Sequence, residues 1–401
     1  MGASYRSGVR TGRVIRRART WLAACAVGMS AVVLSMTATA ATAASASTAG
    51  RARQAAHRTG GTFNACEVTD TGGIHDESFN EAAYDGMLKA AKADPSIATR
   101  YLSSKAATTY VPFIDTFLHA NCGIIVTVGY DMATATLKAA ITNPQQKFTI
   151  VDNTYTKTYS NLLALHYETT QDAFLGGYLA AAMSASGVNG LKTGTVGTFG
   201  GQNIPTVDVY MDGWVAGVYY YNKVNHAHIK VLGWTPTPGS KPGSLAGKGL
   251  FTNTFTDEGK GFTDATTLMS EGADIIFPVA GDVGLGAAEA VKDKGKGYDM
   301  EWVDTDGCLL AKEYCSLFIT TVTKGIEASV EDAVLSAAKG TFKGGQYNGT
   351  LKNAGVSLAP YHDWTSKIPS AVKSKINTLK SEIEKGKLCT SAVCWAKYAA
   401  T

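Results

Sequence analysis

The residues best placed to do chemistry stand together in the run Val68-Thr69-Asp70-Thr71-Gly72-Gly73-Ile74-His75-Asp76-Glu77-Ser78-Phe79-Asn80. Its glycine pair permits a tight backbone turn. Asp76 or Ser78 can cap a helix that opens near Glu77, which sets Phe79 and Asn80 at that helix's N-terminus. An aromatic face beside a side-chain amide suits a flat heterocycle. The ring stacks on Phe79, and Asn80 offers a donor and an acceptor to its edge. The alternative that the spacing leaves open is a plain capping motif with Phe79 turned into the core. Bond-making motifs are missing: the sequence has no G-x-S-x-G, no G-x-x-x-x-G-K-S/T, and no G-x-G-x-x-G opening a helix after the first strand. His226-Ala227-His228 reads as a polar loop rather than a metal site. No cofactor or metal is expected.

The second chemical signal is cysteine. Seven are present, and Cys25 lies in an N-terminal leader-like segment. The other six are Cys66, Cys122, Cys308, Cys315, Cys389 and Cys394. An even number in an exported chain implies disulfides, with fifteen connectivities open to six cysteines. Spacing favours one of them. Cys308/Cys315 and Cys389/Cys394 are near neighbours, which leaves Cys66 with Cys122. Each of that last pair precedes an apolar strand-like run. First and third strands of a parallel sheet commonly lie side by side, so the two sulfurs fall within reach. Zinc is disfavoured, since no histidine is grouped with the C-x6-C or C-x4-C pairs.

The elements that must position these residues alternate regularly. Strand-like runs are expected at Ala65–Val68, Tyr101-Leu102, Gly123–Gly129, Phe148–Val151 and Leu162–His166. Helical spacing covers Glu77–Ala93, Val111–His119 and Asp131–Ile141. A long apolar helix, Asp172–Met183, follows. The pattern then restarts with strands near 194–198, 229–234, 275–278 and 301–303, interleaved with helices over 207–222, 255–271 and 284–294. Such alternation implies parallel sheets covered on both faces. The restart near 170 implies two α/β lobes. Residues 235–250 read as a surface loop, Tyr347–Leu358 as a hairpin turning at Asn348-Gly349, and Trp364–Lys387 as helix. Two open lobes facing across a hinge make a cleft that closes on a small molecule.

Charge narrows the function further. The chain carries 37 Lys+Arg against 33 Asp+Glu, but six of those arginines fall in the first 46 residues, where no acid occurs. Residues 47–401 are therefore slightly acidic, with 31 basic against 33 acidic side chains, which argues against a nucleic-acid partner. The arginine-rich start, the apolar run Trp21–Met36 and the A-x-A sites ending at Ala46 read as a secretory signal over 1–46. A polar linker over 47–62 follows. Leu22-Ala23-Ala24-Cys25 resembles a lipobox but stands at the start of the apolar run. The reading is an exported protein, cell-surface-associated or secreted, with a lipid anchor at Cys25 left open.

The motif T-D-T-G-G-I-H-D-E-S-F-N-E-A-A-Y-D-G resembles the opening of the basic membrane protein family, the purine nucleoside receptor-like substrate-binding proteins of ABC transporters. The similarity continues in order through Val128-Gly129-Tyr130-Asp131, Gly176-Gly177-Tyr178-Leu179-Ala180, Gly213-Trp214, Ala273–Gly281, Val303-Asp304-Thr305-Asp306, Thr320–Lys324 and Leu351–Pro360. The resemblance implies a type I periplasmic-binding fold, two Rossmann-like lobes joined by several crossings. Lobe 1 is expected over 63–168 plus about 306–342, and lobe 2 over 169–305 plus about 343–401. It further implies a monomer that carries a nucleoside to ABC permease subunits, with a sensory module of the same fold, or an α/β enzyme, as the alternative. Phe79 would stack on the base and Asn80 would hydrogen-bond it. Asp131 would accept from a ring N–H, Asp304 and Lys324 would take the ribose, and Asp70 and Gly281 would line the cleft. The second aromatic face would come from Trp214 or Tyr210. Two positions depart from the family pattern. Gly307 stands where glutamine is usual, and Asp282 where a second glycine is common.

Overall fold

The computed structural model describes residues 63–187 and 190–390. The expected signal segment, the linker, Cys25 and Cys394 lie outside the described residues.

The first lobe begins with β1 (Phe63–Val68), α1 (Phe79–Ala93), β2 (Ile97–Leu102), α2 (Tyr110–His119), β3 (Ile124–Val128), α3 (Ala133–Thr142), β4 (Lys147–Val151) and β5 (Leu162–Tyr167). The chain then enters the second lobe. This contains α4 (Thr170–Ser186), β6 (Thr195–Gly200), α5 (Pro205–Asn225), β7 (Lys230–Leu232), the short pair β8 (Trp234–Thr235) and β9 (Lys248–Gly249), α6 (Glu258–Ser270), β10 (Ile275–Val279), α7 (Val283–Lys294), β11 (Asp299–Asp304) and β12 (Phe318–Lys324). It crosses back for α8 (Ile326–Ala338) and β13 (Gly345–Gly349), and crosses a third time into β14 (Val356–Leu358) and α9 (Ser370–Glu384).

Each lobe is built on one six-stranded sheet. The orders are β13-β5-β4-β3-β1-β2 and β14-β12-β11-β10-β6-β7. Every neighbouring pair is parallel except β12 and β14. The central strands are buried on both faces because helices cover both. All five residues of β3 are buried, as are all five of β10. In β10 the ladder to β11 ends at Ile276. Two residues further on stands Pro278, which has no N–H to donate.

The α4 helix is buried on nearly all sides, which explains its lack of a polar face. It packs against α5 at very short range. A Cβ on Gly177 would lie 1.8 Å from the Trp214 carbonyl oxygen, and one on Gly217 2.1 Å from that of Phe174. Only glycine lets the two backbones meet this closely.

Two sequence expectations change. The lobe boundary moves: β12 belongs to the second sheet, while β13 joins the first as its edge strand beside β5. Residues 306–324 therefore lie in lobe 2, and 345–349 in lobe 1. For the same reason Tyr347–Leu358 is not a hairpin. Its two strands pair with different sheets, and the link between them is a lobe crossing. Long-range pairing to β5 and β12 overrides the local turn signal of Asn348-Gly349.

The Cys66–Cys122 and Cys308–Cys315 disulfides are both formed, with Cα–Cα distances of 6.0 and 4.6 Å. Cys389 is disulfide-bonded as well. Among the described residues, no helix is long and apolar enough to cross a membrane.

Candidate functional site

The C-terminal ends of both sheets face one cavity between the lobes. It encloses about 570 Å³, counting the part open to solvent. Ligand sites of open α/β sheets lie at these strand ends. Asp70 follows β1, Tyr130 and Asp131 follow β3, and Asp152 follows β4. From the other lobe, Gly281 follows β10, while Asp304 ends β11 and Lys324 ends β12. All of them line the cavity, together with Phe79, Asn80, Tyr210 and Phe255.

The opening motif is wired by Asp76. Its carboxylate accepts the backbone N–H groups of Ser78, Asn80 and Glu81 at 3.1, 2.9 and 3.1 Å. It is thus the cap of α1, whose first residue is Phe79. Both N–H groups of the Asn80 side chain are engaged by the protein. Its Nδ2 donates to Asp70 Oδ1 at 2.7 Å and to Asp76 Oδ2 at 2.9 Å, and its Oδ1 accepts the Asp70 N–H at 3.0 Å. The amide has no hydrogen left for a ligand edge, contrary to the sequence expectation. It fixes Asp70 instead. Asp70 Oδ1 also takes the Gly72 N–H at 2.8 Å. Burial raises the Asp70 carboxyl to about 7 against the lowering effect of these hydrogen bonds, with Asp76 and Asp131 adding to the rise.

On the opposite side stands a buried lysine. Lys324 Nζ lies 2.6 Å from Asp152 Oδ2 and 3.3 Å from Asp304 Oδ1. It also sits 5.2 Å from the Phe79 ring centre and 4.6 Å from that of Tyr210. Burial alone would lower the ammonium, but the two carboxylates outweigh it and hold its pKa above the ordinary lysine value. Tyr210 donates its hydroxyl to Asp304 Oδ1 at 3.1 Å. Ser78 Oγ reaches across the cleft to Val303 O at 3.1 Å and Asp304 Oδ2 at 3.3 Å. The lobes are therefore in direct polar contact at the base of α1.

The structure thus brings Asp70, Phe79, Asn80, Asp131, Gly281, Asp304 and Lys324 to one cavity, with Tyr210 beside them. Trp214 does not join them. It is buried in the second lobe, donates Nε1 to Glu301 Oε2 at 2.7 Å, and stacks on Phe277 with ring centres 5.5 Å apart. Its size marked it as a stacking candidate, but it faces away from the cleft.

Sequence reasoning missed Asp152, Tyr130 and Phe255. Asp152 had a readable signal: Val151-Asp152-Asn153 after an apolar strand repeats the pattern of Val303-Asp304-Thr305. Phe255 sits in the loop before α6 and carried no such mark.

The cavity offers five carboxylates, from Asp70, Asp76, Asp131, Asp152 and Asp304, against the single ammonium of Lys324. Such a lining disfavours an anionic guest and favours one rich in N–H and O–H donors. Two hinged α/β lobes with a polar, aromatic-flanked cleft between them define a two-lobed solute-binding protein.

The comparisons place the chain within that class. Residues 63–239 and 250–388 match the family described as "ABC transporter substrate-binding protein PnrA-like". The chain belongs to this family of substrate-binding proteins. It is 29% identical over 316 residues to "Basic membrane protein A" of Borreliella afzelii, covering 78% of this chain and 86% of that one. It is equally 29% identical over 343 residues to the "CD4+ T-cell-stimulating antigen" of Listeria monocytogenes, covering 81% and 87%. Among solved structures, an ABC transporter solute-binding protein from Aeropyrum pernix superposes with a TM-score of 0.71 at 21% identity, covering 82% of this chain and 92% of that one. One from Conexibacter woesei gives 0.59 at 20% identity, covering 82% and 98%. At these identities the structural likeness speaks for the fold.

Proposed function

We propose that the protein captures a nucleoside, a purine nucleoside first among them, in the interlobe cleft and delivers it unaltered to the permease of an ABC transporter. The observation that carries this reading is the Asp152–Lys324–Asp304 cluster beside the ring of Phe79. A vicinal diol can donate to two carboxylates while accepting from an ammonium, which is the pattern a ribose presents. The base then lies on Phe79, with Phe255 of the other lobe as its second aromatic face. Asp70 and Asp131 accept its N–H groups, a task the committed Asn80 amide leaves to them.

The energies are of the right order. Micromolar affinity requires about −8 kcal/mol, and one aromatic stack supplies roughly 1–3 kcal/mol. Hydrogen bonds to the charged groups, at roughly 1.5–3 kcal/mol each, are needed for the rest.

The same reading makes the protein a monomer exported through residues 1–46. It binds no nucleic acid and catalyses no reaction. The direct test is a thermal-shift panel of nucleosides, free bases and sugars. A true ligand at 100 times its dissociation constant stabilises by about 2.7 kcal/mol. A flat response to every nucleoside would overturn the proposal.

A further inference from the structure

The corner that carries Asp304 is held from behind by a tail segment that never enters the cleft. Asp304 has left-handed backbone, φ 68°, a strained conformation for an L-residue that persists only where its surroundings enforce it. Two residues on, Asp306 turns away from the cleft. Its Oδ1 accepts the Cys308 N–H at 3.1 Å, and its Oδ2 meets His362 Nε2 at 2.7 Å. Between them Gly307 donates its N–H to Thr321 Oγ1 at 3.1 Å. A side chain at 307 would require ring movement, since a Cβ would lie 2.8 Å from both Trp302 and Phe318 ring carbons. The Cys308–Cys315 disulfide closes the loop that follows. The short turn His362–Trp364 grips this loop at a second point, where Trp364 Nε1 donates to Ser316 O at 3.1 Å.

Asp306, Cys308 and His362 have ligand atoms within 4.8 Å of one another, a spacing that would suit a metal. The Cys308 sulfur is committed to the disulfide, so it has no thiolate to offer a metal.

We propose that His362 is a positioning residue for the ribose site. It acts through Asp306 to hold the 304–308 corner in the one backbone state that aims Asp304 at the cleft. The proposal rests on the nucleoside reading for its ligand, but the brace itself does not. Gly307, where this chain departs from its family's usual glutamine, is part of the same device.

The test compares wild type, His362→Ala and His362→Gln, since glutamine keeps an N–H for Asp306. Calorimetry uses adenosine and inosine against adenine and hypoxanthine, and hydrogen exchange follows the 303–309 backbone without ligand. His362→Ala should weaken the two nucleosides at least fivefold and leave the free bases unchanged. His362→Gln should stay within about twofold of wild type. Exchange over 303–309 should rise at least tenfold in His362→Ala, with β10 unaffected. Equal losses for nucleosides and bases, or unchanged exchange at 303–309, would overturn the brace. If wild type binds neither nucleoside, the cleft reading fails by itself, and the exchange measurement still decides the brace.

Discussion

Asp152 and Asp304 mirror each other across the cleft. Each follows or ends a parallel strand of its own lobe and each has left-handed backbone, with φ of 67° and 68°. Both reach the same Lys324 ammonium, at 2.6 and 3.3 Å. Lys324 lies at the end of β12, where the chain crosses between lobes. The ion pair to Asp152 therefore joins the two lobes beside that crossing, next to the groups expected to hold the ribose.

Asp152→Asn should loosen that link. Removing one partner of a buried charge-assisted hydrogen bond costs roughly 1.5–3 kcal/mol. Nucleoside affinity should fall roughly tenfold or more. Small-angle scattering of the ligand-free variant should show a larger radius of gyration than wild type. An unchanged radius together with unchanged affinity would remove Asp152 from the closing mechanism.

Phe79→Ala should lower nucleoside affinity at least tenfold, about 1.4 kcal/mol. Trp214→Phe should instead lower the melting temperature and leave affinity alone, because Trp214 packs on Phe277 and Glu301 away from the cleft. Calorimetry and thermal denaturation of the two variants separate these roles.

Glu301 predicts a pH dependence of stability. It is fully buried beneath Trp214, and burial raises its carboxyl to about 8 despite the indole hydrogen bond. The folded state therefore keeps a proton that the unfolded chain releases near its ordinary value of about 4.3. Between those two values folding takes up a proton, so stability declines as pH rises, at up to roughly 1.4 kcal/mol per pH unit. Glu301→Gln retains an acceptor for Trp214 and has no charge to bury. Urea denaturation should show the variant gaining on wild type steadily from pH 5 to pH 8. Parallel curves would contradict the assignment.

The disulfides give a chemical prediction. Intact mass should show six hydrogens fewer than the fully reduced protein over Cys66, Cys122, Cys308, Cys315, Cys389 and Cys394. The Cys66–Cys122 bridge spans 56 residues, so its removal should cost about 4 kcal/mol on the chain-entropy model. Free thiols in the native protein would refute the pairing.

Much of the site was legible in the sequence because strand ends are local features. Apolar runs that stop at Asp70, Asp131 or Asp304 announce where a parallel sheet delivers its side chains. The commitment of Asn80 was not legible, because it depends on how the turn before α1 folds Asp70 and Asp76 back onto the amide. What else the sequence hid was long-range. The last strands of the two sheets come from distant segments, and β13 finds β5 only in the folded chain. Trp214 shows the limit of residue type alone. The glycines at 177 and 217 draw α5 onto α4, and this packing turns the indole inward.

The central claim is that one nucleoside is held between the lobes, with its sugar on the Asp152–Lys324–Asp304 cluster. Calorimetric titration of wild type and Asp304→Ala with inosine and with hypoxanthine tests it most directly. The account predicts one inosine per chain, weakened at least tenfold by the substitution, while hypoxanthine binding stays the same. Equal weakening of both ligands, or no inosine binding by wild type, would contradict it.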